Sequence, residues 1–152
     1  MLDHKLRQLS ADFWVAGQLE PEDFAELAKR GFRTVINNRP DGEEPGQLPS
    51  AEAERLCREH GLAYFHVPVV SGSIFPDHVA AMADVMAQSR GPWLAYCRSG
   101  GRCCCLWALV SARRRPPVEL VEAAAKAGYD LRGLWPQLES IHAAAREPVA
   151  AK

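Results

Sequence analysis

Short apolar runs rich in β-branched and aromatic residues alternate along the chain with stretches of helical period. The predicted strands are FWVAGQ, TVINN, AYFHVPV and PWLAYC, at residues 13–18, 34–38, 63–69 and 92–97. Strands that alternate with helices are typical of βαβ units. The pattern therefore predicts an α/β fold with a central, largely parallel sheet of four to five strands and helices on both faces.

Six further segments space their apolar residues three to four positions apart, which indicates helices. They are residues 21–31, 50–61, 76–88, 101–115, 118–128 and 134–147. Ser50 is expected to cap the second helix, and Cys57 is expected to lie in the core. The fourth helix is apolar all round for about three turns, which predicts a position in the middle of the fold.

Length and charge indicate how many domains to expect and which partners not to expect. The 152 residues, with a formal net charge of −1, predict one domain with a frayed tail at 148–152. Such a charge gives no general attraction to nucleic acid or to anionic lipid, so neither is expected as a partner. The charged N-terminal segment has no signal-peptide core, and no apolar run is long enough to span a membrane.

The cysteines indicate a compartment. There are five, at 57, 97, 103, 104 and 105. An odd number with three in a row is poor geometry for a disulfide framework, so we expect a reducing cytoplasm. The cysteines and the scattered histidines also lack the spacing of a metal site, so neither a metal nor another cofactor is predicted.

The segment YCRSGGRCCC, residues 96–105, carries the candidate chemistry. It links the predicted central strand to the apolar helix, at the edge where open α/β sheets bind ligands. Main-chain N–H groups that curl inward at the glycines, together with the helix start, would receive a tetrahedral anion. The predicted anion-binding residues are Arg98, Ser99, Gly100, Gly101 and Arg102.

Cys97 is the candidate nucleophile at the start of this loop. By itself, a cysteine that ends an apolar strand is more often a buried core residue. The glycines and Arg102 that follow favour a thiolate beside an anion site, because cations and helix N-termini lower thiol pKa values. Arg102 could bind two oxygens of the anion at once.

YCRSGGR resembles the active-site loop of two superfamilies, the cysteine-dependent phosphatases and the rhodanese-type sulfurtransferases. FRTVINNRPDGEEPGQ, YFHVPV, YCRSGGRCCCLWAL and AAAKAGYDL together resemble the phosphatase-like domain family that occurs alone or fused to beta-lactamase-like hydrolases of the persulfide dioxygenase kind. The likeness extends from about Phe13 to Leu138. It implies a dual-specificity-phosphatase-like fold and a cysteine-phosphatase architecture over a single phosphatase-like domain, residues 1–152.

Two departures from the phosphatase pattern keep several functions open. Four residues separate Cys97 from Arg102, which is the rhodanese length, whereas phosphatases have five. Cys103 stands where phosphatases usually have a Ser or Thr, and a thiol is a weaker donor than a hydroxyl. The favoured hypothesis is a phosphatase for a phosphorylated small molecule or a phosphoprotein. The alternatives are a sulfurtransferase for a low-molecular-weight persulfide or thiosulfate, and a non-catalytic anion or persulfide sensor.

A phosphatase also needs a general acid, and two loops offer carboxyl groups. We favour Asp41, in the polar loop 39–49 that also contains Glu43 and Glu44, over Asp77. Asp41 could instead be a turn residue, and Asp77 could be an N-terminal charge partner of its helix. Arg39 is either a second cation for substrate oxygens or a member of a surface salt bridge.

Cys103 is a possible redox partner of Cys97. A loop that curls back would bring the start of the helix close to the thiolate, so that oxidation could join the two sulfurs. The alternative is that Cys103 only fills the core, as we expect for Cys104 and Cys105.

Overall fold

The computed structural model describes residues 2–147, in which five strands form one sheet with the order β1-β2-β5-β3-β4. The first pair is antiparallel and the other three pairs are parallel. The predicted α/β fold with a largely parallel sheet is therefore confirmed. The strands are β1 (Arg7–Ser10), β2 (Phe13–Ala16), β3 (Thr34–Asn37), β4 (Ala63–His66) and β5 (Trp93–Tyr96).

Within residues 2–147, six α-helices follow the predicted segments: α3 has the predicted bounds, α5 begins one residue earlier and ends two earlier, and the other four are shorter. They are α1 (Asp23–Lys29), α2 (Ser50–Glu59), α3 (Pro76–Gln88), α4 (Gly101–Ser111), α5 (Pro117–Lys126) and α6 (Trp135–Arg146). Within residues 2–147, no helix has the length and hydrophobicity needed to cross a bilayer. The expected frayed tail at 148–152 lies outside the described residues.

Helices cover both faces of the sheet, because successive side chains of β5 pack into two different helical layers. Leu94 and Tyr96 pack into the cluster formed with α1 and α2, which also holds Cys57. Ala95 and Cys97 face the cluster formed with α3 to α6. Helix α4 lies in the middle of this second layer, with six fully or nearly fully buried residues, because it is apolar all round.

Two local expectations were wrong. The sequence pattern missed β1, because Arg7–Ser10 buries only Leu9 and so has no alternation to detect. Ser50 is the first residue of α2 and not its cap, since Pro49 precedes the helix in an extended conformation. The Asp41 carboxylate accepts a hydrogen bond from the Ser50 backbone N–H at 2.8 Å, so a side chain from the preceding loop binds one of the free N–H groups at the helix start.

Candidate active site

The loop that we call the cradle loop, residues 97–102, runs from the end of β5 to the start of α4. Strand β5 pairs in parallel with β2 on one side and β3 on the other, so the loops after all three strands meet at one edge of the sheet. The predicted position of Cys97 after a central strand is therefore confirmed. This edge is where open parallel sheets bind ligands.

Two close approaches fix the shape of the cradle loop. Gly100 has a left-handed φ of +91°, and a Cβ there would collide with the Tyr129 hydroxyl. That hydroxyl donates a hydrogen bond to the Ser99 carbonyl oxygen at 2.9 Å. On the other side, a Cβ at Gly17 would lie 2.9 Å from the Arg98 carbonyl oxygen. Only glycine fits either position without moving the loop.

The environment of Cys97 stabilises its thiolate. A hydrogen bond from the Cys103 thiol, followed by main-chain N–H groups of Cys103, Ser99 and Gly100, lowers the pKa of Cys97 to about 5 despite its burial. The Gly100 N–H lies 3.1 Å from the Cys97 sulfur. Cys97 is therefore ionised at neutral pH, as the sequence predicted.

Cys103 is the donor to that thiolate and is itself fully buried. Burial, and after it the neighbouring Cys97 sulfur, raises the pKa of the Cys103 thiol well above its usual range. Cys103 therefore keeps its proton at neutral pH and remains a donor. Cys103 stands at the sequence position where the phosphatase pattern expects a hydroxyl, and its thiol is the largest cause of the lowered pKa of Cys97.

Arg102 is held at one end and open along one edge. Its Nη1 donates to Glu43 Oε2 at 2.7 Å and to the Val69 carbonyl oxygen at 2.8 Å. Its Nη2 donates to Glu43 Oε1 at 2.9 Å. A guanidinium has five N–H groups, so Nε and the second Nη2 proton remain, and they share one edge. That edge can bind two oxygens of an anion.

Arg39 lies behind Glu43 and orients it. The Arg39 side chain is 1% exposed, and its Nε donates to Glu43 Oε1 at 2.8 Å. Its other contacts are Gln18 Oε1 and Glu44 Oε1. Of the two alternatives for Arg39, the structure shows the salt bridge, but the guanidinium that forms it is buried and does not lie at the surface. Arg102 first, and then Arg39, lowers the pKa of Glu43 to about 2.

A cavity of about 780 Å³ opens at the cradle loop. The carboxylates that line it are Glu43 and Asp130, and hydrogen bonds from Arg132 lower the pKa of Asp130 to about 2. Burial raises the pKa of Tyr129, which also lines the cavity, to about 12. The remaining lining residues include Ser71, Gly72, Ile74, Arg98, Ser99, Gly101, Arg102, Cys105, Leu131, Leu134 and Gln137.

The structure does not bring the two favoured acids to this cavity. Asp41 caps α2, and Asp77 lies exposed in the first turn of α3. Neither belongs to the lining formed by residues 2–147. Their role as a general acid stays a prediction.

The sequence matches the family described as "Beta-lactamase hydrolase-like protein, phosphatase-like domain" over residues 5–114. This confirms the resemblance found in the cradle loop and its surroundings. The chain belongs to this family. Its phosphatase-like domain is 38% identical over 129 residues to a beta-lactamase hydrolase-like protein of Xylella fastidiosa (Temecula1), covering 84% of this chain and 30% of that protein.

A second relative of the same description, from Agrobacterium fabrum, is 37% identical over 98 residues, which are 64% of this chain and 23% of that protein. The phosphatase-like domain thus spans less than a third of the length of these curated relatives. Among solved structures, a proposed phosphatase from Neisseria meningitidis is 31% identical, with a TM-score of 0.77 over 89% of this chain and 96% of that one.

More distantly related phosphatases share this fold. The core catalytic domain of a PP-IP phosphatase from S. cerevisiae superposes with a TM-score of 0.66 at 16% identity, over 90% of this chain and 84% of that one. This likeness concerns the fold alone. It confirms the dual-specificity-phosphatase-like architecture that the resemblance implied.

Sequence reasoning missed two side chains that shape the site. Glu43 was named only as a carboxylate in the loop 39–49, and its contact with Arg102 bridges 59 positions of sequence. Tyr129 supports the cradle loop from 30 positions away. Its neighbourhood AAAKAGYDL carried the family resemblance, but nothing local in that stretch points to the cradle loop.

Proposed function

We propose that this phosphatase-like domain hydrolyses phosphate monoesters through a phosphocysteine on Cys97. The thiolate attacks phosphorus, a P–S bond forms, and the P–O bond to the leaving group breaks. Water then attacks phosphorus, releasing phosphate and regenerating the thiolate. The lowered pKa of Cys97, about 5, carries this proposal, because it supplies a nucleophile at neutral pH.

The remaining roles follow from the contacts around Cys97. The Nε–Nη2 edge of Arg102 and the main-chain N–H groups of residues 98–102 stabilise the phosphoryl oxygens in the transition state. Glu43 and Arg39 act as positioning residues. Glu43 binds Arg102 directly, and Arg39 acts on Arg102 through Glu43. Cys103 stabilises the Cys97 thiolate when it leaves phosphorus. The substrate is a phosphorylated small molecule or a phosphoprotein. All five cysteines are unpaired, which fits the reducing environment of the cytoplasm.

Sulfur transfer is the second candidate, and one observation favours it. The carboxylates that line the cavity, Glu43 and Asp130, have pKa values of about 2 and hold no proton for a leaving oxygen at neutral pH. Transfer of a sulfur atom from thiosulfate or a low-molecular-weight persulfide to Cys97 needs no such proton. The four-residue spacing between Cys97 and Arg102 is also the rhodanese length.

A paired assay on one preparation separates the two. We expect turnover of p-nitrophenyl phosphate and none of thiosulfate with cyanide, and the reverse result would establish sulfur transfer. Cys97→Ser should abolish the activity that is found, while Arg102→Lys should lose most of it, because a point charge cannot replace the planar fork. Binding of phosphate without turnover of either substrate would identify an anion sensor.

A further inference from the structure

The cavity at the cradle loop continues into an apolar groove of about 650 Å³ between α3 and α6. The two share the lining residues Ile74, Leu134 and Gln137, so they lie side by side on the surface. Beyond the shared residues, the groove is lined mainly by hydrophobic side chains, among them Phe75, Val79 and Ile141. A molecule whose anionic end lies in the cradle loop can therefore extend directly into hydrophobic surroundings.

The charges along this path favour a substrate with one phosphate over one with several. The cations that line the cavity and the groove are Arg98, Arg102 and Arg113, and the anions are Glu43 and Asp130. Arg102 is already paired with Glu43. A polyanion needs several unpaired cations close together. Arg98 lines the cavity and Arg113 lines the groove, so the three arginines do not all face one space, and the rest of the groove is mainly apolar.

The exposure of Phe75 shows that part of this apolar surface is accessible from solvent. Phe75, at the start of α3, is 59% exposed. Burying a large apolar side chain lowers the free energy, so a ligand that covers Phe75 would be stabilised. We propose that the groove binds the hydrophobic part of a phosphomonoester whose phosphate lies in the cradle loop. The substrate class is then a monophosphate of a hydrophobic alcohol or phenol. This inference rests on the proposed phosphatase function.

The test measures how affinity and turnover depend on chain length. n-Alkylphosphonates from methyl to octyl, which cannot be hydrolysed, are titrated by calorimetry into the intact protein, so binding is read without turnover. 4-Alkylphenyl phosphates from methyl to hexyl, whose phenols differ little in acidity, are then assayed as substrates. We expect the affinity and kcat/KM to rise about two- to fourfold per methylene until the groove is filled.

Variants locate the effect. Phe75→Ala should lower the slope of affinity against chain length, and Ala80→Trp, at an exposed position that lines the groove, should reduce the slope to near zero. Val118→Ala is the matched control, because Val118 is 48% exposed but lies on α5, away from the groove. A slope that Val118→Ala lowers as much as Phe75→Ala does would overturn the proposal.

The outcomes for groove and chemistry are distinguishable. Turnover with affinity independent of chain length overturns the groove proposal, leaves the phosphatase function intact, and would fit a groove that binds a protein segment. Chain-length-dependent binding of the phosphonates without turnover of any aryl phosphate supports the groove and overturns the hydrolase. Failure of every phosphonate, including methylphosphonate, to bind overturns both, because the cradle loop would then not hold a phosphate-like anion.

Discussion

Glu43 binds both terminal nitrogens of Arg102, at 2.7 and 2.9 Å, and leaves the Nε edge of the guanidinium open. If Arg102 binds substrate as proposed, a carboxylate this close to it could compete with the substrate. The geometry argues that Glu43 instead helps substrate binding. Glu43 fixes the direction of the guanidinium, and the two protons on its Nε–Nη2 edge remain available to an anion. Glu43 thus pre-orients Arg102 for a second, simultaneous bidentate contact.

The first prediction concerns this pair. Glu43→Gln should lower kcat by about 10- to 100-fold, because an amide offers one acceptor where Arg102 needs two and small misplacements of a binding group are costly. Glu44→Gln is the control, since Glu44 is 48% exposed and contacts Arg39 but not Arg102. Its effect should stay within about threefold, because Glu44 does not touch Arg102 and the new amide in Glu44→Gln keeps an acceptor for the Arg39 guanidinium. Steady-state kinetics of the two variants measure these changes in kcat. An increase in kcat for Glu43→Gln would show that the carboxylate competes with the substrate.

The second prediction concerns the pH profile. The pKa of Cys97 is lowered to about 5, so the thiolate fraction, and with it kcat/KM, should rise as the pH increases through 5. Cys103→Ala removes the largest cause of that shift and should move this limb to higher pH, while Cys103→Ser keeps a donor and should restore much of it. Ultraviolet absorbance of the thiolate follows the same titration directly. An unchanged limb in Cys103→Ala would rule out the thiol as the main stabilising group.

The third prediction separates two adjacent glycines. Gly100→Ala meets both a φ of +91° and the Tyr129 hydroxyl, and should destabilise the protein by about 1–3 kcal/mol. Gly101 begins α4, and a Cβ there meets only Ser99 Oγ, at 3.5 Å. Gly101→Ala should therefore stabilise it by up to about 1 kcal/mol. Thermal unfolding of the two variants should give shifts of opposite sign, and equal shifts would contradict the described loop.

The fourth prediction is a reversible oxidation. Hydrogen peroxide, a two-electron oxidant, converts the Cys97 thiolate to a sulfenic acid; the Cys103 thiol then attacks that sulfur, an S–S bond forms and water leaves. The Cys103 thiol is the largest cause of the lowered pKa of Cys97, which places the two side chains close to each other. Peptide mapping should find a Cys97–Cys103 disulfide, with activity restored by dithiothreitol. Sulfinic acid at Cys97 beside unmodified Cys103 would show that Cys103 is only a donor and a core residue.

The fifth prediction separates capping from catalysis at Asp41. If the carboxylate only caps α2, Asp41→Ala should lower the free energy of unfolding by about 1 kcal/mol, while Asp41→Asn should cost much less because it keeps an acceptor. Both should leave the basic limb of the pH–rate profile in place. Loss of that limb in Asp41→Asn, with a poor leaving group and with Asp77→Asn as the comparison, would assign Asp41 as the general acid.

The sequence by itself determined the fold class and the identity of the cradle loop. Both are local properties: the alternation of strand and helix periods, and the succession of Cys97, two glycines and Arg102, are read within a few neighbouring residues. The buried position of α4 followed in the same way, because its apolar residues surround the helix. A lowered pKa of Cys97 was also expected, from Arg102 and the helix start, but in the structure the Cys103 thiol and main-chain N–H groups lower it.

Only the tertiary structure decided which side chains support the cradle loop. Parallel strands end at one edge of the sheet, so their loops meet there, but the residues that touch depend on loop paths that no periodicity encodes. Glu43 and Asp41 lie two positions apart in the same loop, yet one binds Arg102 and the other caps α2. The sequence favoured Asp41 of the two, and only three-dimensional contact distinguished their roles, because a hydrogen bond forms only over about 3 Å.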